Sequence, residues 1–159
     1  MDNNTDRNLV VDVKNLHISF KTFKGYSKVL NGVNLQVHKR ERIAIVGETG
    51  CGKTTTVSAI AQILAKQARI DKGEIFFNGK SVLKMNAKEL KKMRENGISI
   101  IFQDPIASLN PVFTIGNQMR EVIRYSGIDG ATDKNVQTER TIAALKETSM
   151  PDPERIMES

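Results

Sequence analysis

Two kinds of apolar pattern run through the first half of the chain. Val10-Val11-Asp12-Val13 is followed by Leu16-His17-Ile18-Ser19-Phe20, where apolar and polar residues alternate. That is the repeat of a strand with one face buried. Val29-Leu30, Val33, Leu35 and Val37 resume it after Lys21–Lys28, a basic stretch containing Gly25 that reads as a loop. These segments predict an antiparallel sheet. Arg42-Ile43-Ala44-Ile45-Val46 and Ile98-Ser99-Ile100-Ile101-Phe102 are instead near-continuous apolar runs, predicting short strands buried on both faces.

Helical spacing separates the strands. Val57, Ile60, Ala61 and Leu64 predict a helix from Thr54 to about Lys66. Asp71-Lys72-Gly73 reads as a turn, Glu74–Phe77 as a strand, and Asn78-Gly79 as a hairpin connection. Asn86 is placed to cap a helix over Ala87–Arg94 that stops before Gly97. Thr114 precedes Ile115, Met119, Val122 and Ile123, and Asp133 precedes Val136, Ile142, Ala143 and Leu145. Each reads as a capped amphipathic helix. Met150-Pro151-Asp152-Pro153 blocks continuation of the second helix. Residues 1–8 are polar and read as a frayed, disordered start. Strands alternating with helices make the fold class α/β.

Composition narrows the function classes. The 159 residues are 39% hydrophobic and 26% charged, close to globular averages. No apolar run approaches a membrane span, and Met1-Asp2-Asn3-Asn4 starts no signal peptide, so a cytoplasmic location is expected. The net charge of +6 raises nucleic acid as a partner. With only 5% aromatic residues, however, a base-stacking surface is poorly supplied. The basic run Lys88–Arg94 is interleaved with Glu89, Leu90 and Met93, as a solvated helix face would be. No nucleic-acid partner is expected. His17 falls on the polar phase of its strand and reads as an exposed residue rather than a ligand.

The chemistry concentrates in Gly47-Glu48-Thr49-Gly50-Cys51-Gly52-Lys53-Thr54-Thr55. Glycine, four residues, then Gly-Lys-Thr, between a predicted strand and a predicted helix, is a phosphate-binding loop. The glycines let the main chain close around an anion, and the loop amides and helix N-terminus point positive charge inward. Lys53 is expected to reach the β- and γ-phosphates, the Thr54 hydroxyl to ligate Mg²⁺, and Thr55 to donate to the α-phosphate. Cys51 is the single cysteine. It excludes an internal disulfide and reads as a small loop residue rather than a reactive thiol.

Taken with Gly73-Glu74-Ile75, Asn78-Gly79 and Ile101-Phe102-Gln103-Asp104-Pro105, the loop resembles the nucleotide-binding subunit of ATP-binding cassette transporters. Ser108-Leu109-Asn110-Pro111 looks like the subfamily that imports oligopeptides, dipeptides or nickel. The resemblance implies a P-loop NTPase fold over residues 9–159. Residues 9–105 would form an N-terminal antiparallel β subdomain and an incomplete parallel-sheet core. Residues 106–159 would form the exit from the Q-loop and the start of a helical subdomain. It implies ATP and Mg²⁺ as cofactors, with Lys53 and Gln103 as catalytic residues and Thr54 and Gln103 at the metal. Phe20 becomes the candidate for stacking on adenine, with Phe23 and Tyr26 as rivals. Transmembrane permease subunits and a second nucleotide-binding subunit are the implied partners, on the inner face of the cell membrane.

Two departures stand out. Arg40 occupies a position that is usually glycine in the family, so the turn before Arg42 is expected to differ locally. The signature motif, the strand with the metal aspartate and catalytic glutamate, and the switch histidine are all missing. The chain therefore reads as the front portion of a longer subunit, hydrolysis-deficient alone and open to self-association through an exposed sheet edge. The alternatives are a truncated nucleotide-binding or regulatory module, or a nucleic-acid-associated P-loop ATPase.

Overall fold

The computed structural model describes residues 8–159; apart from Asn8, the expected frayed start lies outside the described residues. The chain divides into two compact units, residues 1–91 and 92–159. In the first, the alternating segments form β1 (Leu9–Thr22) and β2 (Gly25–His38), joined by Phe23-Lys24. The basic stretch expected to be a loop is mostly strand: Thr22 pairs with Gly25, and the Thr22 hydroxyl donates to the Gly25 carbonyl at 3.1 Å. The ladder runs to a two-residue turn because each added pair satisfies backbone groups that a loop leaves to water.

β3 (Ala68–Phe77) and β4 (Lys80–Ser81) complete an antiparallel sheet in the order β2-β1-β3-β4. Asn78 and Gly79 take φ of 48° and 75°, as the hairpin expectation requires. The turn expected at Asp71-Lys72-Gly73 is corrected: all three residues lie inside β3. Pairing steps from Lys14↔Glu74 to His17↔Lys72, so Asn15 and Leu16 oppose Gly73 alone. This is a bulge. Gly73 sits at φ 106°, where an added Cβ would lie 2.5 Å from the Asn15 carbonyl oxygen. Leu16, Ile18 and Ile75 are fully buried, with Val13 and Val82 beside them at 1% exposure.

The helix expected from Thr54 to about Lys66 is shorter, α1 over Lys53–Ile60. Gln62 at φ 55° ends it, with its side-chain amide donating to the Ala59 carbonyl at 2.6 Å. Thr56 and Ala59 form the buried face, and Val57 stays 41% exposed. Neither near-continuous apolar run is a strand. Residues 41–48 and 98–102 have no ladder partner among the described residues, and Val46 and Ile101 are 92% and 91% exposed. Apolar content sets what a segment gains on burial, but a strand also needs a neighbour for its N–H and C=O groups. The sheet among the described residues is wholly antiparallel, without the expected parallel core.

Ahead of the first apolar run, Lys39-Arg40 turns the chain, with Arg40 at φ 63°. The conformation that suits glycine is thus kept by an arginine. Glu41 Oε2 accepts from the His38 backbone N–H at 2.6 Å and faces the ring Nδ1 at 3.1 Å. These contacts hold the Glu41 carboxyl below its ordinary value, the backbone bond first. Their contribution to stability is present above the ordinary carboxylate range and lost as pH falls through the depressed value.

α2 (Ala87–Asn96) begins at Asn86, whose side chain accepts from the Lys88 and Glu89 amides at 3.0 Å, while Glu89 reaches back to the Asn86 amide at 3.0 Å. This is a capping box. In the second unit α3 (Ile115–Arg124), α4 (Lys134–Glu147) and α5 (Pro153–Glu158) pack together. Thr114 and Asp133 cap α3 and α4 as the sequence predicts. α4 stops at Glu147, ahead of the prolines, and Pro153 opens a separate helix, α5, at the position where a missing N–H costs least. No helix among the described residues is long and apolar enough to cross a membrane.

Two substitutions test this backbone reading by chemical denaturation. Gly73→Ala should destabilise by about 2 kcal/mol or more, and by more than Gly79→Ala, which shares the positive φ but meets nothing within 4 Å. Arg40→Gly should stabilise by up to about 1 kcal/mol, because it relieves a left-handed residue; a loss of stability would contradict the assignment.

Candidate phosphate-binding site

The loop from Gly47 to Thr55 runs into α1 and rests on the sheet. Cys51 N–H donates to the Glu48 carbonyl at 3.3 Å, closing a turn. Gly52 then takes φ 97° as the residue before the helix. A Cβ there would lie 2.4 Å from Leu30 Cδ2 and 3.4 Å from the Val29 carbonyl oxygen. Leu30 is a core residue of β2 at 3% exposure, so this glycine sets how closely the loop sits on the strand.

The first hydrogen bond into α1 is made by Thr56 N–H to the Gly52 carbonyl at 2.9 Å. Thr56 Oγ1 donates to the same carbonyl at 3.0 Å, buried. The amides of Gly52, Lys53, Thr54 and Thr55 have no acceptor among the described residues. No acidic side chain occupies the first turn. A helix start leaves four donors unpaired, and here nothing among the described residues neutralises them. The result is an electropositive row of main-chain N–H groups suited to an oxyanion.

Lys53 spans the loop. Its ammonium donates to the Gly47 carbonyl at 2.6 Å and the Glu48 carbonyl at 2.7 Å, with Cys51 Sγ at 3.6 Å. An ammonium carries three protons. All three brace the loop against itself, the thiol contact being the longest, so a phosphate would have to displace at least one of them. Thr54 is exposed and Thr55 half-buried, both in the first turn of α1. Among the described residues no group of three or more His, Cys, Asp or Glu could hold a metal. Mg²⁺ fits this donor set only as it commonly binds, through substrate phosphates with a single hydroxyl such as that of Thr54.

Glu48, Thr49, Gly50 and Cys51 lie with these residues on the exposed loop. Gln103 belongs to the second unit, in an exposed bend. There Asp104 Oδ1 accepts from Ala107 N–H at 3.1 Å, and Ser108 Oγ donates to the Asp104 carbonyl at 3.3 Å. The aromatic candidates differ in setting. Phe20 is half-buried in β1 between Ser27 and Ala68, and Phe23 is fully exposed at the hairpin tip. Tyr26 already carries the Arg69 guanidinium 4.2 Å from its ring centre.

Two structural roles escape sequence reading. Thr56 pins the loop from inside the helix, its only signal being that it extends the threonine run. Gln118 bonds Asn110 through both its amide groups, at 2.9 and 3.1 Å, and donates to Phe113 at 2.9 Å. It staples the loop before α3, with no sequence signal beyond polarity among apolar neighbours. Thr56→Val, which keeps shape but not the bond, should cost about 1 kcal/mol and speed hydrogen exchange at the first turn of α1. Unchanged exchange there would remove Thr56 from this role.

The family model described as ABC transporter matches residues 30–158. A probable peptide ABC transporter ATP-binding protein of Sinorhizobium fredii is 36% identical over 156 residues, 98% of this chain and 46% of that protein. The dipeptide transport ATP-binding protein of Lactococcus lactis is 37% identical over 91% of this chain and 41% of its own length. The oligopeptide transport ATP-binding protein of Bacillus subtilis is 37% identical over 92% of this chain and 40% of its own. The chain thus spans less than half the length of these curated relatives. Among solved structures, a dimeric ATP-binding cassette in a post-hydrolysis state with ADP and Pi aligns at a TM-score of 0.77 and 23% identity, covering 92% of this chain and 60% of that one. That likeness shows the fold.

Proposed function

The chain belongs to the ABC transporter family, and from that premise we propose that it binds Mg-ATP through Gly47–Thr55 as the ATP-binding part of a peptide importer. The observation that carries the reading is the row of unpaired amides at Gly52–Thr55, beside the Lys53 ammonium that braces the loop. Gly47, Glu48, Thr49, Gly50, Cys51 and Gly52 supply the cradle, and Lys53 supplies the charge on the β- and γ-phosphates. Thr54 holds Mg²⁺, and Thr55 donates to the α-phosphate. Bound Mg²⁺ would neutralise charge on the polyphosphate. Gln103 serves the metal and the attacking water, and Phe20 stacks on adenine.

The names of the relatives support short peptides as the class of solute. The partners are then transmembrane permease subunits and a second cassette, at the inner face of the membrane. Exposed Ile106, Val112, Phe113, Val122 and Tyr125 in the second unit supply an apolar surface for such contacts. The unladdered segments 42–46 and 99–102 have backbone outside any ladder that can pair with another polypeptide. By itself the 159-residue chain binds nucleotide without efficient hydrolysis. Its loop carries no carboxylate but Glu48, and water attack on a phosphoryl group is served by a residue that orients the water.

Calorimetric titration with Mg-ATP tests the reading. Lys53→Ala should lower affinity by at least about 2 kcal/mol, roughly thirtyfold, since it removes a charge-assisted contact and the loop brace together. Equal affinity in the variant would refute the assignment. Multiple turnover by the pure chain at the rate of an intact transport ATPase would refute the hydrolysis claim alone.

A further inference from the structure

A second concentration of positive charge lies on the antiparallel sheet, lined by none of the phosphate-loop residues. Ser19 on β1 stands directly opposite Lys28 on β2 and Arg69 on β3, so these side chains form one row on one face. With Tyr26, Asp71 and Lys72 they line a cavity of ≈ 300 Å³. Arg69 is held at two points: its Nε donates to Asp71 Oδ1 at 2.7 Å, and its guanidinium lies over the Tyr26 ring at 4.2 Å. Those contacts orient the plane and leave its two terminal nitrogens for a ligand.

Ser19 supplies a separate observation. The residue is 2% exposed and its hydroxyl completes no hydrogen bond. It lies close enough to Asp71 to be the first cause of that carboxyl's lowered pKa, ahead of Arg69 and Lys28, yet it falls short of hydrogen-bond geometry. A buried hydroxyl without a partner costs free energy that a ligand oxygen can recover. Asp71 opposes an anion, but Arg69 and Lys28 act on it, and Lys72 lines the same cavity. Three cations against one carboxylate leave a charge of +2 around the cavity.

We propose that this cavity binds a phosphate dianion, with Arg69, Lys28 and Lys72 neutralising it and Ser19 donating to it. A dianion matches the surplus charge, and the fixed arginine provides the paired donors that phosphate oxygens accept. The ligand is either free inorganic phosphate or the phosphate group of a small monoester. The site stands independently of nucleotide binding at the loop.

The test is amide NMR of the whole chain titrated separately with inorganic phosphate and with glycerol phosphate, at constant ionic strength. Saturating shifts at Ser19, Lys28 and Arg69 are expected, and they should persist in Lys53→Met, in which the loop is disabled. Tighter saturation by inorganic phosphate identifies the free ion, and tighter saturation by glycerol phosphate identifies a monoester. Lys28→Gln combined with Lys72→Gln changes only exposed side chains and should weaken binding by about tenfold or more. Shifts that rise linearly without saturating overturn the proposal. So do shifts confined to residues 47–55, or undiminished binding in the double variant.

Discussion

A helix that begins with unanswered N–H groups is the constraint on which the rest of the first unit depends. The amides of Gly52–Thr55 find no acceptor among the described residues, an arrangement stable only where water or an anion serves them. The sheet keeps it in place. Gly52 presses on Leu30, Leu30 is buried in β2, and β2 is laddered to β1 along most of its length. Thr56 closes the helix from beneath, and Lys53 ties the front of the loop to its back. The row of amides is therefore held in place by the protein itself, which would spare an anion much of the ordering cost of binding.

What was legible in the sequence followed local chemistry. Asn78-Gly79 specified its turn, and Asn86, Thr114 and Asp133 each begin the helix expected of them. Those signals work because donor and acceptor lie within three residues of one another. The candidate loop stands out in the sequence for the same reason, since its glycines, lysine and threonines are contiguous.

What was not legible depends on distant neighbours. Asp71-Lys72-Gly73 has turn composition, yet it stays within the β3 ladder, Gly73 lying opposite the bulge that Asn15 and Leu16 form in β1. Glycine permits both outcomes, and only the ladder chooses. The apolar runs 42–46 and 98–102 have the composition of buried strands but no partner strand among the described residues. Their exposed side chains mark surface that the fold has yet to cover. Arg40 shows the reverse case. A residue unsuited to a left-handed turn adopts it at φ 63°, because the hydrogen bonds from His38 to Glu41 close the turn around it.

The most direct measurement is the response of individual backbone amides to Mg-ATP in an isotope-labelled sample. Gly50 through Thr55 should show the largest shifts and the greatest gain in protection from exchange, at a ligand concentration that saturates every affected resonance together. If those amides stay unmoved while saturable shifts gather elsewhere on the chain, the loop is not where the polyphosphate binds.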